Sequence, residues 1–398
     1  MSLGLIFLVI AGVAVLTMGS RKLSDRTGFP FAGTLLIIGF LGSELATFAG
    51  ADIGLRWYHF RDIVFYGIVP LLVLNTALQL DIQIFKSVLG SILLLSIPIG
   101  VLTGCVVAMF VYSGINHPVG FPILVALLLG GILTANEPEH LLERIPISSV
   151  SDRFSTLLKG ESMFNDIIAV MLFSLLIELI LMHDSLPNVG LLVWQPIWLL
   201  GGGIGVGVLG ANLIKRAFLV VKGGAIGALF IIIAAYGLYF LSDKYLAVSG
   251  VASLVAFGLT LKSLLDIDGN KLISGFADFV HASLYLLVGV SFTLGQFTDR
   301  WIAILLGTVG LVFGRILGSY FFLVINKLCR PNSLQLTKYE KIGIALSGTP
   351  GAIALALALS LPLEVPAWYT VQSAVYGVVA IGIFIHAPLA ALILSKVR

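Results

Sequence analysis

Lys159-Gly160-Glu161-Ser162-Met163-Phe164-Asn165-Asp166 places two carboxylates and an asparagine inside residues 155–182, a stretch otherwise apolar enough to read as a membrane-spanning helix. An ionisable group at membrane depth is costly, faces a cavity or a partner, and marks an ion or proton path. The surrounding composition sets the fold class. Of 398 residues, 59% are hydrophobic and 11% charged, whereas a soluble domain carries about 25% charged residues. Apolar residues come in blocks of roughly 20, enough to cross a hydrocarbon core of about 30 Å. The alternating ten-residue strands that a membrane β-barrel needs are absent from the sequence. The chain therefore reads as an all-α polytopic membrane protein.

Working outward, thirteen spans are expected at about 2–19, 29–49, 60–79, 86–114, 119–137, 155–182, 189–214, 222–241, 246–265, 273–296, 301–326, 340–362 and 367–395. Charge tests that number. Eighteen of the 23 Lys and Arg residues fall at one set of span ends, from Arg21 and Lys22 to Lys396 and Arg398. Arg56, Arg61, Lys244 and Arg300 fall at the other set, and Arg315 lies inside a span. A missed span would scramble this parity. The positive-inside rule puts the N-terminus outside and the C-terminus in the cytoplasm; the expected location is a bacterial-type plasma membrane. The first block lacks a basic n-region and a small-residue cleavage site, so it reads as a retained helix. Topology accounts for the net charge of +3, and no nucleic-acid partner is implied. Cys105 and Cys329 fall at different depths, which argues against a disulfide framework.

Two spans carry breaks. The fifth reads Ala126-Leu-Leu-Leu-Gly-Gly-Ile-Leu-Thr134-Ala-Asn136-Glu137-Pro138, and the twelfth Ala345-Leu-Ser347-Gly348-Thr349-Pro350-Gly351-Ala352. Proline removes a backbone donor and clashes with the preceding turn, and glycine weakens a helix. Freed backbone groups survive at membrane depth only when they line a cavity or are satisfied again. The breaks lie seven spans apart, and an odd offset reverses orientation. Spans 1–6 and 8–13 can thus be two inverted repeats, with the seventh as connector, and paired interrupted spans point to a secondary-transporter binding site.

Asp166 lies about 11 residues into its span, roughly 16 Å along the helix, and Arg315 about 14 residues past Trp301, roughly 21 Å. Both are near the midplane. One arginine neutralises one carboxylate. Glu161 with Arg315 is the candidate structural ion pair, and Asp166 is left as the shared cation and proton site. Desolvation disfavours a bare anion, so a proton or a metal cation must neutralise it, and the two compete. Hard monovalent cations take oxygen ligands, here Asp166, the Ser162 hydroxyl and carbonyls freed at the breaks. Thr134, Asn136, Glu137 and Asn165 complete the candidate cation and proton set. Asn136 is also suited to satisfying freed backbone groups, and Glu137 could equally sit in the headgroup region with Glu139 and His140. Pro138, Gly348, Thr349, Pro350 and Gly351 form the helix breaks. Asp278 and Lys262 read as snorkelling residues, and His281 and His386 as hydrogen-bonded histidines. The run Gly201–Gly207 reads as a close helix contact.

Gly160-Glu161-Ser162-x-x-Asn165-Asp166, supported by Leu133-Thr134-Ala135-Asn136-Glu137-Pro138, Ser249-Gly250-Val251-Ala252 and the stretch from Gly351-Ala352 to Leu361-Pro362, resembles the sodium/proton exchanger family, in its branch with an Asn-Asp pair in helix six. The resemblance covers essentially the whole chain. It implies a homodimer in contact with membrane lipids, crossed broken helices 5 and 12, and electroneutral exchange of sodium or lithium for protons, without a resident cofactor. It further implies dimerisation parts at residues 1–80 and 185–299, the latter beginning with connector helix 7. These parts would flank a mobile ion-translocating core at 86–184 and 300–398. The chain departs from the family pattern at Asn75, where an acidic residue is usual, at Asn136-Glu137 in place of Thr-Asp, and at Pro350 in place of an arginine. A potassium/proton exchanger or potassium efflux protein on the same scaffold fits the same oxygen ligands. A channel would need a symmetric filter or rings of charge. A hydrolase would need a catalytic motif that is absent, and the departures from the family pattern leave a non-transporting membrane sensor as a remote alternative.

Overall fold

A computed structural model describes residues 3–50, 62–115, 120–146, 150–182, 189–221, 224–265, 271–329 and 336–397. Arg56, Arg61, Lys222, Arg330 and Arg398 of the charge pattern lie outside the described residues. The helices are α1 (Leu3–Thr27), α2 (Phe31–Phe48), α3 (Ile63–Gln79), α4 (Ile82–Gly114), α5 (Ile123–Leu133), α6 (Glu139–Leu142), α7 (Asp152–Leu181) and α8 (Val189–Val221). They continue with α9 (Gly224–Tyr245), α10 (Gly250–Leu264), α11 (Lys271–Ser291), α12 (Leu294–Asp299), α13 (Trp301–Cys329), α14 (Lys338–Leu346), α15 (Ala352–Leu359) and α16 (Trp368–Val397). With α5–α6 and α14–α15 each taken as one interrupted span, and α12 as a short connection, these give thirteen spans. Among the described residues, eight helices are long and apolar enough to cross a membrane, and α3, α5 and α10 are shorter apolar helices. Large apolar side chains such as Trp194, Ile197, Leu209 and Leu213 of α8 are exposed, as expected when lipid is the solvent.

Local chemistry explains the boundaries. The side chain of Asp81 accepts from the Gln83 and Ile84 amides at the start of α4, and Ser151 from Phe154 at the start of α7. Thr337 and Glu340 form a capping box on α14, and Ser151 donates to Glu340 at 2.6 Å, tying the starts of α7 and α14 together. The tenth span ends earlier than the hydropathy suggests. Helix α11 stops at Ser291, because Thr293 adopts extended backbone and opens α12 with its own capping box to Gln296. Lys262 is not free to snorkel: its ammonium donates to the Leu78 carbonyl at 2.7 Å, at the end of α3.

Helix packing carries the inverted repeat. Exchanging spans 1–6 with spans 8–13 maps α4 on α7 to α13 on α16, and α2 on α11 to α10 on α3, and each of these pairs is in contact. It also maps α1 on α2 to α9 on α10, while α4 packs on its own counterpart, α13. The other self-pair is the crossing of the breaks, where Asn136 and Pro350 form an antiparallel bridge. The Glu137 amide donates to the Thr349 carbonyl at 2.7 Å, and the Thr349 hydroxyl to the Glu137 carbonyl at 3.2 Å. Pro138 follows the first break and Gly348, Pro350 and Gly351 interrupt the second, and each break satisfies backbone groups of the other.

Small residues set the close approaches. In α8, a Cβ on Gly207 would strike the Ser253 carbonyl of α10 and lie 2.8 Å from the Ala256 Cβ, whereas one on Gly205 would meet open space. Gly207→Ala is accordingly expected to destabilise by about 1–3 kcal/mol through overpacking. Gly205→Ala is expected to be neutral or slightly stabilising. Thermal unfolding of the two variants in detergent checks this; equal melting temperatures would refute the packing account.

Candidate functional site

The site is built where α7 passes the crossing. Glu161 and Asp166 are five residues apart, so they leave α7 in different directions and meet different surroundings. Glu161 is fully buried and Arg315 of α13 is 4% exposed. Their groups form a two-pronged pair: Nη1 donates to Oε1, and Nη2 donates to Oε2 at 2.8 Å. The guanidinium is then completed by the α14 break. Its Nε donates to the Ile344 carbonyl at 3.1 Å, and Nη2 to the Ser347 hydroxyl at 3.0 Å. Gly348 is required here, since a Cβ would lie 2.7–2.8 Å from the Arg315 side chain.

Two asparagines extend this pair. Asn165 Nδ2 donates to Asn136 Oδ1 at 3.0 Å and to Glu161 Oε1 at 3.2 Å. The Asn136 amide thus bonds side chains, where the sequence suggested backbone groups. Its own carbonyl is satisfied by the Ser162 hydroxyl at 2.6 Å. Thr134 is buried and donates to the Gly131 carbonyl at 2.7 Å, which closes the end of α5. Pro138 opens α6, its carbonyl accepting from Leu141 and Leu142.

Asp166 has a different setting. It lines a cavity of ≈ 590 Å³ that also touches Ser162, Asn136, Glu137, Asn75 and Thr76 and reaches Arg21, Asp25, Glu143 and Arg144. Among the described residues no hydrogen bond or ion pair engages its carboxylate. Thr134 and Asn165 do not line this cavity, so the structure brings Ser162, Asn136 and Glu137, but not those two, to the space around Asp166. The exposed Arg21 and Asp278 pair at 3.0 Å near the mouth.

Glu137 turns toward α11. Its Oε1 lies 2.8 Å from His281 Nε2, and its Oε2 accepts from the Tyr285 hydroxyl at 2.9 Å and the Ala352 amide at 2.7 Å. His140 Nε2 lies 3.3 Å from the Tyr285 hydroxyl. Tyr285 was not singled out by the sequence reading. Asp278, His281 and Tyr285 fall at i, i+3 and i+7, one polar stripe on an apolar helix, which is the signal that marks it. His386 lines a second, small cavity with Arg315, Gly348 and Pro350.

An inverted-repeat bundle with two crossed helix breaks has the architecture of a multi-pass membrane transporter. A sequence model described as "Sodium/hydrogen exchanger, transmembrane" matches residues 5–396, and the chain belongs to this family of transporters. It is 28% identical over 390 residues to the Na+/H+ antiporter ApNhaP of Aphanothece halophytica, covering 94% of this chain and 71% of that protein. It is 26% identical over 274 residues to the low-affinity Na+/H+ antiporter NhaS1 of Synechocystis, covering 65% of this chain and 51% of the relative. Its fold is similar to that of the sodium proton antiporter MjNhaP1 from Methanocaldococcus jannaschii, with a TM-score of 0.79 at 21% identity, over 100% of this chain and 99% of that one.

The different settings of Glu161 and Asp166 can be told apart by experiment. Arg315→Met leaves Glu161 buried without its cation and is expected to cost about 3–5 kcal/mol, as is usual for a broken buried pair. Asp166→Asn removes no partnered group and is expected to leave stability within about 0.5 kcal/mol of wild type. Detergent unfolding curves for the two variants check this, and a large loss for Asp166→Asn would contradict the unpaired reading.

Proposed function

We propose that this chain exchanges sodium for protons across a membrane, electroneutrally and by alternating access, with both ions competing for Asp166. The observation that carries the reading is the division between Glu161, compensated by Arg315, and Asp166, a carboxylate that lines the cavity with no partner among the described residues. A carboxylate shut off from water must be neutralised before it moves. A proton does so, and so does a sodium ion. Loading one requires release of the other, which couples the two fluxes.

Ser162 is suited to the sodium form. Its hydroxyl donates to the Asn136 carbonyl, which leaves oxygen lone pairs for a cation. Asn136 Oδ1 is already taken by Asn165, so the asparagine pair serves Glu161 and fixes the break. One proton exchanged for one sodium keeps the carrier's charge the same in both directions. The moving part would be the core of spans 4–6 and 11–13, against spans 1–3 and 7–10 as the dimerisation part of a homodimer. The cavity mouth lies at the span ends that carry the lysine and arginine majority, which supports a cytoplasmic opening.

The test is sodium-driven proton flux in proteoliposomes. Wild type is expected to exchange at a rate that clamping the membrane potential leaves unchanged, and Asp166→Asn to fall to the level of empty vesicles. Full exchange by Asp166→Asn at saturating sodium would end the shared-site reading. A rate that follows the imposed potential would end the electroneutral one. Potassium and lithium gradients in the same vesicles define the cation preference.

A further inference from the structure

Glu137 lines the cavity beside Asp166, and both of its oxygens are occupied. One side of it belongs to the crossing. Its backbone is bonded to Thr349, and its Oε2 accepts from Ala352 at the first turn of α15. A Cβ on Gly351 would collide with the Glu137 carboxylate and Cβ, so the side chain is seated on the break without slack. The other side belongs to α11, which packs on α2 and α3. Since a carboxylate accepts, His281 Nε2 and the Tyr285 hydroxyl both donate, and His140 stands behind Tyr285. One carboxylate therefore bolts the helix breaks to a helix of the opposite packing group, in a mostly buried setting where charge-assisted bonds are strong.

We infer that His281 and Tyr285 act as a conformational latch on Glu137, holding the transporter in the state whose cavity reaches Asp166 from the Arg21–Asp278 side. The inference deepens the proposed alternating access and rests on it for its role in transport. If the breaks move relative to α11, these donors must let go of Glu137 once in each cycle. His281 and Tyr285 are positioning residues: they set the balance of states and do not bind the cargo. Glu137, engaged in this way, is a fastening point and leaves the ion to Asp166.

The experiment reads conformation without relying on exchange. Cys105 and Cys329 are replaced by serine, and a single cysteine is placed at Thr76 on the cavity wall. Its reaction with a membrane-impermeant thiol reagent is timed in vesicles of both orientations. With the latch intact, the cysteine reacts from the face to which the cavity opens. Tyr285→Phe, which removes one hydroxyl and keeps the ring, and the double variant Tyr285→Phe/His281→Ala are expected to slow that reaction by about tenfold for each bond lost. Tyr285→Phe/His281→Gln restores a donor near Glu137 and is expected to recover part of the rate. Wild-type reaction rates in Tyr285→Phe and in the double variant would overturn the latch. Slowed labelling in a protein whose wild type moves no cation would keep the latch and remove the exchanger reading, so the two failures are distinguishable.

Discussion

The structure depends on the buried pair between Glu161 and Arg315. A guanidinium at mid-bilayer depth is tolerated only with its donors satisfied. Arg315 meets that demand with both oxygens of Glu161, the Ile344 carbonyl and the Ser347 hydroxyl. Two of those acceptors exist because span twelve is broken where it passes Arg315, and Gly348 leaves the width for the side chain to reach them. Helix break and ion pair therefore require each other. Closing the helix would take the Ile344 carbonyl back into the ladder, and removing the arginine would leave a carboxylate in a dry interior.

This constraint is also what leaves Asp166 free. Five residues along α7 separate a carboxylate with a full set of donors from one with cavity on its open side. When two carboxylates occupy such different surroundings, their roles divide. Asn165 stands between them in sequence and faces Glu161, not the cavity. Its amide donates to two acceptors of the buried network, so it extends the ion pair where a second acid at that position would have to be neutralised as well.

Much of this was legible beforehand. Apolar blocks, charge parity and two interruptions contain the thirteen spans and the two breaks, because length, charge and proline act locally; that the breaks cross was implied by the family resemblance alone. The pairing of Glu161 with Arg315 followed from depth along the helix and from the scarcity of cations. The aims of Asn136, Glu137 and Thr134 did not follow. Each side chain lies within a few residues of a break, where backbone direction changes sharply and sequence spacing no longer fixes which way it points. Thr134 turned back onto its own helix, Asn136 toward Glu161 and Glu137 toward α11. Tyr285 was hidden for a different reason. A tyrosine in an apolar helix is ordinary, and only its phase with His281 and Asp278 sets it apart.

The two breaks handle their exposed helix ends in complementary ways. Helix α14 stops with free carbonyls, the negative end of its dipole, and Arg315 donates to one of them. Helix α15 starts with free amides, the positive end, and Glu137 accepts from Ala352. A resident side chain of opposite sign thus serves each dipole end of span twelve. Glu137 lines the cavity and offsets the positive end of the α15 start, while Arg315, held by Glu161, faces the separate small cavity. Asp166, which lines the same cavity as Glu137, has no such partner among the described residues. The breaks thus fix Glu137 and Arg315 against helix ends of opposite sign, and leave Asp166 beside the crossing with cavity in place of a partner among the described residues.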